Sequence, residues 1–273
     1  MNASLLWSGP AALLALTVYL FVTAPAALPD TVDGKPVDTA AQIPINKLFA
    51  LIAAENDVMR LMYTQEIVGA GKKVGLEFSE HWKEDTVQAG PLPALFLRES
   101  AASLQRSPMP LGLYLGSDFP LEQSNQFEGL AKEYFAEVKE SREPRYFYAD
   151  DVARYTAMFP DFAVAPPCVS CHNNHEQTPK TDWKLDDVMG ATTWTYPKAT
   201  VSHEEALQVL AAARHAFATS YGKFLEEVKS YDDPPTIGDR WPRDGYFLPS
   251  VEVFMAKGES RASVETVRRL LAL

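Results

Sequence analysis

The sequence Cys168-Val-Ser-Cys171-His172 constrains this chain more than any other stretch. Two thiols three positions apart, followed at once by an imidazole, form the C-x-x-C-H pattern that attaches c-type haem. The chemistry requires this spacing, because both thiols must reach the vinyl groups of one porphyrin while the next residue places a ring nitrogen beneath the iron. A neutral histidine nitrogen is a good iron ligand, so His172 is predicted to be the proximal one. The motif therefore predicts one covalent haem c, held by thioether bonds to Cys168 and Cys171.

These two cysteines are the only ones in the chain, so they cannot belong to a larger disulfide framework. Two other interpretations of the motif, a redox dithiol and a zinc site, are disfavoured. A thioredoxin-like dithiol would place its first cysteine at a helix N-terminus after a strand. Here Pro166 and Pro167 precede Cys168, and no strand is predicted to run into them. A structural zinc site formed by Cys168, Cys171 and His175 would need a fourth ligand from a distant part of the chain.

The N-terminal stretch from Ala11 to Leu28 is apolar and uncharged over eighteen residues, which is just enough for one helical membrane span. A secretory signal peptide is the alternative, because Ala24-Pro25-Ala26 offers an A-x-A-like cleavage site. Residues 1–10 contain no Lys or Arg, which slightly favours a retained anchor. Either way we expect export, which agrees with haem c because bacteria attach it outside the cytoplasmic membrane. The predicted location is the periplasmic side of the bacterial inner membrane, anchored there, or the periplasm if the segment is cleaved.

Composition excludes some partners without indicating a function. With 47% hydrophobic and 22% charged residues, the 273-residue chain has an ordinary globular composition. Its formal net charge of −11 argues against nucleic acid and against an anionic membrane surface as partners.

The pattern of apolar residues and turn signals predicts four regions. They are a signal anchor or signal peptide (1–29), a linker (30–44), a haem c-binding domain (45–200) and a mostly helical C-terminal extension (201–273). In the haem domain, helices are predicted over Asn46–Val68, 90–104 and Asn125–Lys139, and strands over Leu111–Leu115, Arg145–Ala149 and Val188–Tyr196. Residues 153–159 are either a helical turn or a further strand. Short strands mixed with short helices indicate an α+β fold with an antiparallel sheet.

The C-terminal extension is predicted to begin and end with helices. Ser202 and Glu205 form a capping box that opens a long helix. The run Asp232-Asp233-Pro234-Pro235 ends it. A terminal helix is expected from about Ser260.

The second axial ligand of the iron is left open by the sequence. Met59 and Met62 are candidates, because they lie one turn apart on the apolar face of the first helix and His/Met ligation is known for c haems. The alternative is that both fill the core, as methionine usually does. His175 is too close to His172 along the chain to reach around the porphyrin, and His81 is an isolated histidine with polar neighbours. An open position, unoccupied by any side chain, is the remaining possibility.

Further side chains are candidates for contacts with the haem. Three cations are candidates to pair with the haem propionates: Lys180, Lys184 and Arg145. The alternative, that they are solvated surface charges, explains them at least as well. Trp183 and Trp194 are expected to pack on or near the porphyrin, where large apolar area counts most.

The thirty residues from Cys168 to Pro197 resemble the signature of a family of exported haem c domains. The family occurs on bacterial chemoreceptors and histidine kinases and as free-standing proteins, and was long catalogued as a domain of unknown function. Its characteristic pieces are all present here: His172-Asn173 with His175, Thr178-Pro179-Lys180, Asp182-Trp183-Lys184 and Asp187-Val188-Met189-Gly190.

This resemblance implies a PAS-like fold with haem c in a pocket against the sheet. It also implies a role in redox or gas sensing, or in electron transfer. Some relatives use a cysteine as second axial ligand, whereas this chain has no spare cysteine. No kinase, cyclase or methyl-accepting segment is present, so any output must pass to another protein.

Three function classes follow. A sensor would change its distal ligand on reduction or on binding NO or CO, and a partner would read the change. An electron carrier would keep two permanent ligands and an exposed haem edge. A small enzyme such as a peroxidase ranks last, because the sequence shows no distal His–Arg pair; we therefore expect no enzymatic activity. A homodimer is a further possibility for a PAS-like domain near a membrane.

Overall fold

The computed structural model describes residues 31–32, 35–36, 42–242 and 247–272. Contacts divide the chain into two units, with the boundary between Ala40 and Ala41. In the first unit, strand β1 (Thr31–Val32) pairs antiparallel with β2 (Lys35–Pro36).

The predicted anchor or signal stretch, Ala11 to Leu28, lies outside the described residues. None of the helices that the structure does describe is long and apolar enough to cross a membrane.

The second unit mixes helices and strands. Its helices are α1 (Ile45–Met62), α2 (Gly69–Lys73), α3 (Pro93–Gln105), α4 (Gly129–Ser141), α5 (Pro166–Asn174), α6 (His203–Val228) and α7 (Val251–Ala272). Its strands are β3 (Ile43–Pro44), β4 (Glu77–Ser79), β5 (Ala89–Pro91), β6 (Gly112–Gly116), β7 (Arg145–Ala149), β8 (Arg154–Phe162), β9 (Val188–Tyr196), β10 (Thr200–Val201), β11 (Thr236–Gly238) and β12 (Phe247–Pro249). A π-helical segment, Tyr63–Val68, joins α1 to α2.

The main sheet is antiparallel and has four strands in the order β6-β9-β8-β7. Strands β7 and β9 have the bounds predicted from the sequence. Of residues 153–159, left open between turn and strand, all but the first belong to β8, which hydrogen-bonds to β7 on one side and β9 on the other. The α+β class is confirmed.

Among the helix boundaries that differ from the prediction, two have identifiable reasons. The first helix was expected to close at Gly69, Gly71 and Gly75, but it continues through the π-helical segment to the end of α2 at Lys73, so that Gly75 alone, with a φ of 93°, closes it. Gly71 allows close packing, since a Cβ there would lie 3.1 Å from the side chains of Leu76 and Phe78. Helix α7 was expected near Ser260 but begins at Val251. The missed signal is Ser250, whose hydroxyl accepts a hydrogen bond from the backbone N–H of Val253 at 3.3 Å.

The large core lies between one face of the sheet and the layer formed by α1, α3, α6 and α7. Phe96 of α3 is fully buried there, and Tyr63 stacks on it with ring centroids 4.5 Å apart. Phe217 of α6 and Phe254 of α7 belong to the same cluster. The predicted C-terminal extension thus shares its core with the first helix. A smaller cluster lies between the sheet and α4.

A buried ion pair ties α1 to α6. The Glu55 side chain is only 4% exposed and accepts two hydrogen bonds from Arg214, one of them 2.8 Å long to the arginine Nε. Arg214 also lies 3.6 Å from Glu259 of α7, at a more exposed position. Removing one member of a buried pair leaves the other charge unpaired away from water.

We therefore expect Arg214→Met to lower the free energy of unfolding by about 3–5 kcal/mol, as measured by urea denaturation. The matched control is Glu259→Gln, which breaks only the exposed contact and is expected to cost less than about 1 kcal/mol. Equal losses in the two variants would contradict the assignment of Glu55 as the buried partner.

Candidate functional site

Helix α5 carries the C-x-x-C-H motif and is opened by two prolines. Pro166 and Pro167 occupy its first turn, where their missing N–H groups cost no helical hydrogen bond. Cys168, Cys171 and His172 follow at positions i, i+3 and i+4, so all three side chains lie on one face of the helix. Both thiols are free; Cys168 is half-buried and Cys171 is exposed. This is the arrangement that two thioether bonds and an adjacent iron ligand need.

The helix is only partly covered by the rest of the protein. None of its nine residues is fully buried, although Cys168 and His172 are half-buried. Val164, just before the helix, is 72% exposed, and Leu185 is 55% exposed. Both flank a stretch where the backbone N–H of Ala163 donates to the carbonyl oxygen of Asp187 at 2.9 Å. An uncovered helix face with exposed apolar neighbours fits a large apolar group such as a porphyrin.

Polar contacts rather than core packing hold α5 in place. The Asn173 side chain donates to the carbonyl oxygen of Trp183 at 3.0 Å and accepts from its backbone N–H at 2.9 Å. The Thr178 hydroxyl lies between the carbonyl oxygens of His172 (2.6 Å) and Lys180 (2.7 Å). These contacts fix the end of the helix that bears the histidine.

His175 is fully engaged within the protein. Its Nδ1 accepts a hydrogen bond from the backbone N–H of Gln177 at 3.1 Å, so the ring proton is on Nε2. That Nε2 donates to the carboxylate of Glu80, 3.0 Å away. The contact links the C-terminal end of α5 to the turn after β4. That His175 is not an iron ligand stays a prediction, but both of its nitrogens have partners here.

The pKa of His172 is shifted in the direction that iron ligation needs. Burial lowers this pKa and His175 lowers it further, so the imidazole is neutral near pH 7. Burial raises the pKa of Cys171, with Glu80 and Cys168 acting in the same direction and Lys72 opposing them.

One reason given above against the dithiol is wrong. A strand does precede the motif, since β8 ends at Phe162 and α5 begins four residues later at Pro166. Cys168 accordingly lies in the first turn of a helix that follows a strand. The elements around the motif therefore do not exclude a redox dithiol.

The zinc interpretation finds no support in residues 42–242 and 247–263. Within them, no group of three or more His, Cys, Asp and Glu side chains is arranged to hold a metal ion. His175, the third ligand such a site would need, is bound to Glu80.

Met59 and Met62, the predicted distal ligands, are buried in the large core. Both point at Gly258 of α7: a Cβ there would lie 2.4 Å from the Met59 sulfur and 3.2 Å from the Met62 Cε. Glycine at this position thus makes room for the two thioethers. This packing accounts for both side chains without iron, and their role as ligands stays a prediction.

A polar network that sequence reasoning missed joins α1 to the sheet. Arg60 forms an ion pair with Asp161 of β8 and donates to the Thr192 hydroxyl of β9 at 3.2 Å. That hydroxyl in turn donates to Asp161 at 2.9 Å. Despite burial, the pKa of Arg60 is raised, chiefly by Asp161, with Asp57 and Cys168 adding to the effect. The sequence did contain a signal for this network. Arg60 is a cation that stands between Met59 and Met62, on a helix with a buried apolar face.

The other predicted haem contacts are dispersed. Arg145 pairs with Glu137 at 2.9 Å on the edge strand β7. Trp194 is fully buried in the large core. Lys180 pairs with Asp182 and lies 4.7 Å above the Trp183 ring. For Lys184 the structure gives a backbone contact alone, its N–H donating to Asp187.

Trp183 is the tryptophan that lies next to the motif. It is 6% exposed, and its indole Nε1 is buried without a hydrogen-bond partner in the part of the chain that the structure describes. Such a donor would suit an acceptor group of the cofactor, for example a carboxylate.

Two clefts in the described part of the chain lie away from the motif. One, of about 280 Å³, is lined by Ile45, Asn46, Phe49, Tyr146, Phe147, Tyr148, Tyr155, Thr156 and Ala199. The other, of about 470 Å³, is lined by Met109, Pro110, Tyr196, Lys198, Ser202, Glu204, Glu205 and Gln208. The haem pocket expected against the sheet is neither of them and stays a prediction.

A comparison with protein families finds one match. The model of the Tll0287-like family matches residues 51–197, more than half of the chain. The match includes the run Cys168 to Pro197, on which the resemblance to an exported haem c family rests. No curated protein and no solved structure matches the chain.

The contacts of Asn173 generate a prediction about the motif helix. Asn173→Ala removes two hydrogen bonds in a half-buried position and should lower the free energy of unfolding by about 1–3 kcal/mol in urea denaturation. Asn174→Ala is the matched control, since Asn174 is exposed and bonds only the Ser170 carbonyl oxygen. An equal effect of the two substitutions would argue against Asn173 as the anchor of α5.

Proposed function

Because the chain belongs to the Tll0287-like family of c-type haem sensor domains, we propose that it is an exported protein with a single covalent haem c that senses redox state or a gas such as NO or CO. The observation that supports this most is helix α5, which presents two free thiols and a histidine on one face and has no buried side chain. The family itself binds haem c; a single haem and its covalent attachment are parts of the proposal.

Each residue of the motif has a separate task in this proposal. Cys168 and Cys171 form the two thioether bonds, and His172 gives its neutral imidazole to the iron. Asn173 and Thr178 fix the backbone at that histidine and just after it. When bound, the haem supplies an iron that changes oxidation state and takes diatomic ligands. The protein contributes orientation and a partly apolar cover.

The proposed fold of the haem domain is PAS-like. In support, a four-stranded antiparallel sheet carries helices on its faces, and α5 follows directly after one of its inner strands. We place the haem against the end of this sheet, beside α1.

The proposed setting is the periplasmic side of the bacterial inner membrane. It is supported by the apolar N-terminal stretch, which acts as an anchor or as a cleaved signal, and by the outer location of haem c attachment. The output passes to an unidentified signalling or redox partner protein, which could be a second copy of the chain. Neither nucleic acid binding nor catalysis is part of the proposal.

Electron transfer is a second candidate function. The observation that favours it is the exposure of α5: a haem held by a helix without buried residues would have an edge near solvent, where a redox partner can approach. A carrier would need a permanent second axial ligand, whereas a sensor needs one that can be displaced.

Covalent attachment is tested by denaturing electrophoresis followed by a peroxidase-type haem stain. We expect the wild-type band to stain, and Cys168→Ala with Cys171→Ala together to abolish the stain because no thioether can then form. The pyridine haemochrome spectrum should give one haem per chain. A colourless wild-type band, or haem that acid–acetone extracts, would refute the proposal.

Gas binding separates the sensor from the carrier. We expect the ferrous protein to bind CO or NO with a clear change in its Soret absorption, because a sensor's distal position must be accessible. A six-coordinate spectrum that ignores both gases in both oxidation states would reject the sensor and leave the carrier.

A further inference from the structure

The segment that bears α5 is tied at both ends to the region of α1, the π-helical segment and α2. At one end, Arg60 of α1 is bonded to Asp161, the next-to-last residue of the strand that leads into α5. At the other end, His175 is bonded to Glu80, just beyond α2 and β4. Lys72 of α2 is near enough to Cys171 to influence its pKa. A group held by the two cysteines therefore lies beside α1.

Arg60 is the polar side chain that α1 offers to this space. Its Nη1 is used by Asp161 and Thr192. Its Nε and Nη2 have no hydrogen-bond partner among the side chains and backbone that the structure describes. The side chain as a whole is 31% exposed. A guanidinium has five N–H donors, and three of them are free here.

The position of this edge distinguishes two possible acceptors on the haem. In a porphyrin of this type, the vinyl groups that bond the cysteines and the two propionates are on opposite sides of the ring. Arg60 is near enough to Cys168 to be influenced by it electrostatically, so it would lie on the vinyl side of a haem bound there. Its free donors would then be closer to the ring and to a ligand at the iron than to the propionates.

The neighbouring charges define what kind of ligand these donors suit. Asp161 and Asp57 together offset the positive charge of Arg60, so the site has little net attraction for anions. What it offers is directional hydrogen bonding to a group that accepts strongly. When azide, cyanide or a similar small anion is bound to iron, the end that points away from the metal accepts hydrogen bonds. The oxygen of bound CO accepts them weakly. Bound imidazole carries an N–H at its far nitrogen and cannot accept.

We propose that Arg60, held in position by Asp161 and Thr192, selects the ligands of this haem in favour of small hydrogen-bond acceptors, with inorganic anions such as azide as the representative class. The proposal rests on the proposed function, since it requires the haem at Cys168, Cys171 and His172. It also assigns the ligand-facing role on α1 to Arg60 in place of Met59 and Met62, which pack against Gly258 on another side of the helix.

The test is the affinity of the purified haem protein for azide in the ferric state, measured by Soret titration. We expect Arg60→Met to weaken azide binding about 10- to 100-fold, the loss that follows from removing a charge-assisted hydrogen bond. Imidazole binding should change less than about threefold, because it gains nothing from the guanidinium. The C–O stretch of the ferrous CO complex should move to higher frequency in the variant, because a nearby N–H donor lowers it.

Control variants separate this role from a general loss of structure. Arg98→Met removes an exposed arginine from α3 and should leave azide affinity unchanged. Asp161→Asn weakens the contact that holds Arg60 in position, so azide affinity should fall, though less than in Arg60→Met. It also serves if Arg60→Met folds poorly, because weaker azide binding with unchanged imidazole binding in Asp161→Asn would support the proposal independently, and azide binding as tight as in the wild type would count against it.

Several results would overturn the proposal. One is an azide affinity of Arg60→Met within about twofold of the wild type, with an unshifted C–O stretch. Another is a wild type that binds neither azide nor CO until Met59→Leu or Met62→Leu is introduced, which would show that a methionine occupies the position. Failure of the haem stain would refute the proposed function itself; a positive stain with unaltered azide binding would refute only the role of Arg60.

Discussion

The requirement that one flat group be reached by two sulfurs and one ring nitrogen governs the site. Helix α5 meets it with three side chains spaced i, i+3 and i+4 on a single face. The same spacing leaves the other faces of the helix free to contact the rest of the protein. Asn173 lies on one of these faces and forms two hydrogen bonds with the backbone of Trp183. The helix can thus be anchored and still present an uncovered face.

The remaining features of α5 follow from this division. A nine-residue helix with no buried side chain is too short to be stable alone in water. Its prolines at the start, the Asn173 contacts and the His175–Glu80 link supply local support in place of a core. A haem bonded to it would bring the apolar contact that the helix lacks, so the cofactor belongs to the packing of this region as well as to its chemistry.

Sequence patterns predicted the elements best where one physical signal was strong. Strands β7 and β9 are rich in aromatic and β-branched residues, and both have the predicted bounds. The glycines after α1 misled because Gly71 serves close packing and not termination. Strand β8 was missed as the strand before the motif because its pattern is interrupted by Pro160 and Asp161.

The site could be predicted only in part, for the same reason. The cysteines and His172 are local in sequence, and their spacing alone places them on one face. The residues opposite them come from distant segments, and no local pattern says which side of a helix meets which strand. Met59 and Met62 had the right chemistry for iron, but periodicity could not show that they face α7 and that Arg60 faces Asp161.

Burial also decides which part of the site can respond to a change at the haem. Helix α1 is held by the large core on one side, including the two methionines against Gly258, and by the Arg60 network on another. Displacing it would disturb many buried contacts at once. Helix α5 is held by a few hydrogen bonds near solvent, each worth about 0.5–1.5 kcal/mol. Segments with little buried area and exposed hydrogen bonds are the ones that open at low free-energy cost. A change of ligand or oxidation state would therefore displace α5 and the turn bearing Glu80 before it displaced α1, and a partner that reads the haem would do so most directly from that exposed side.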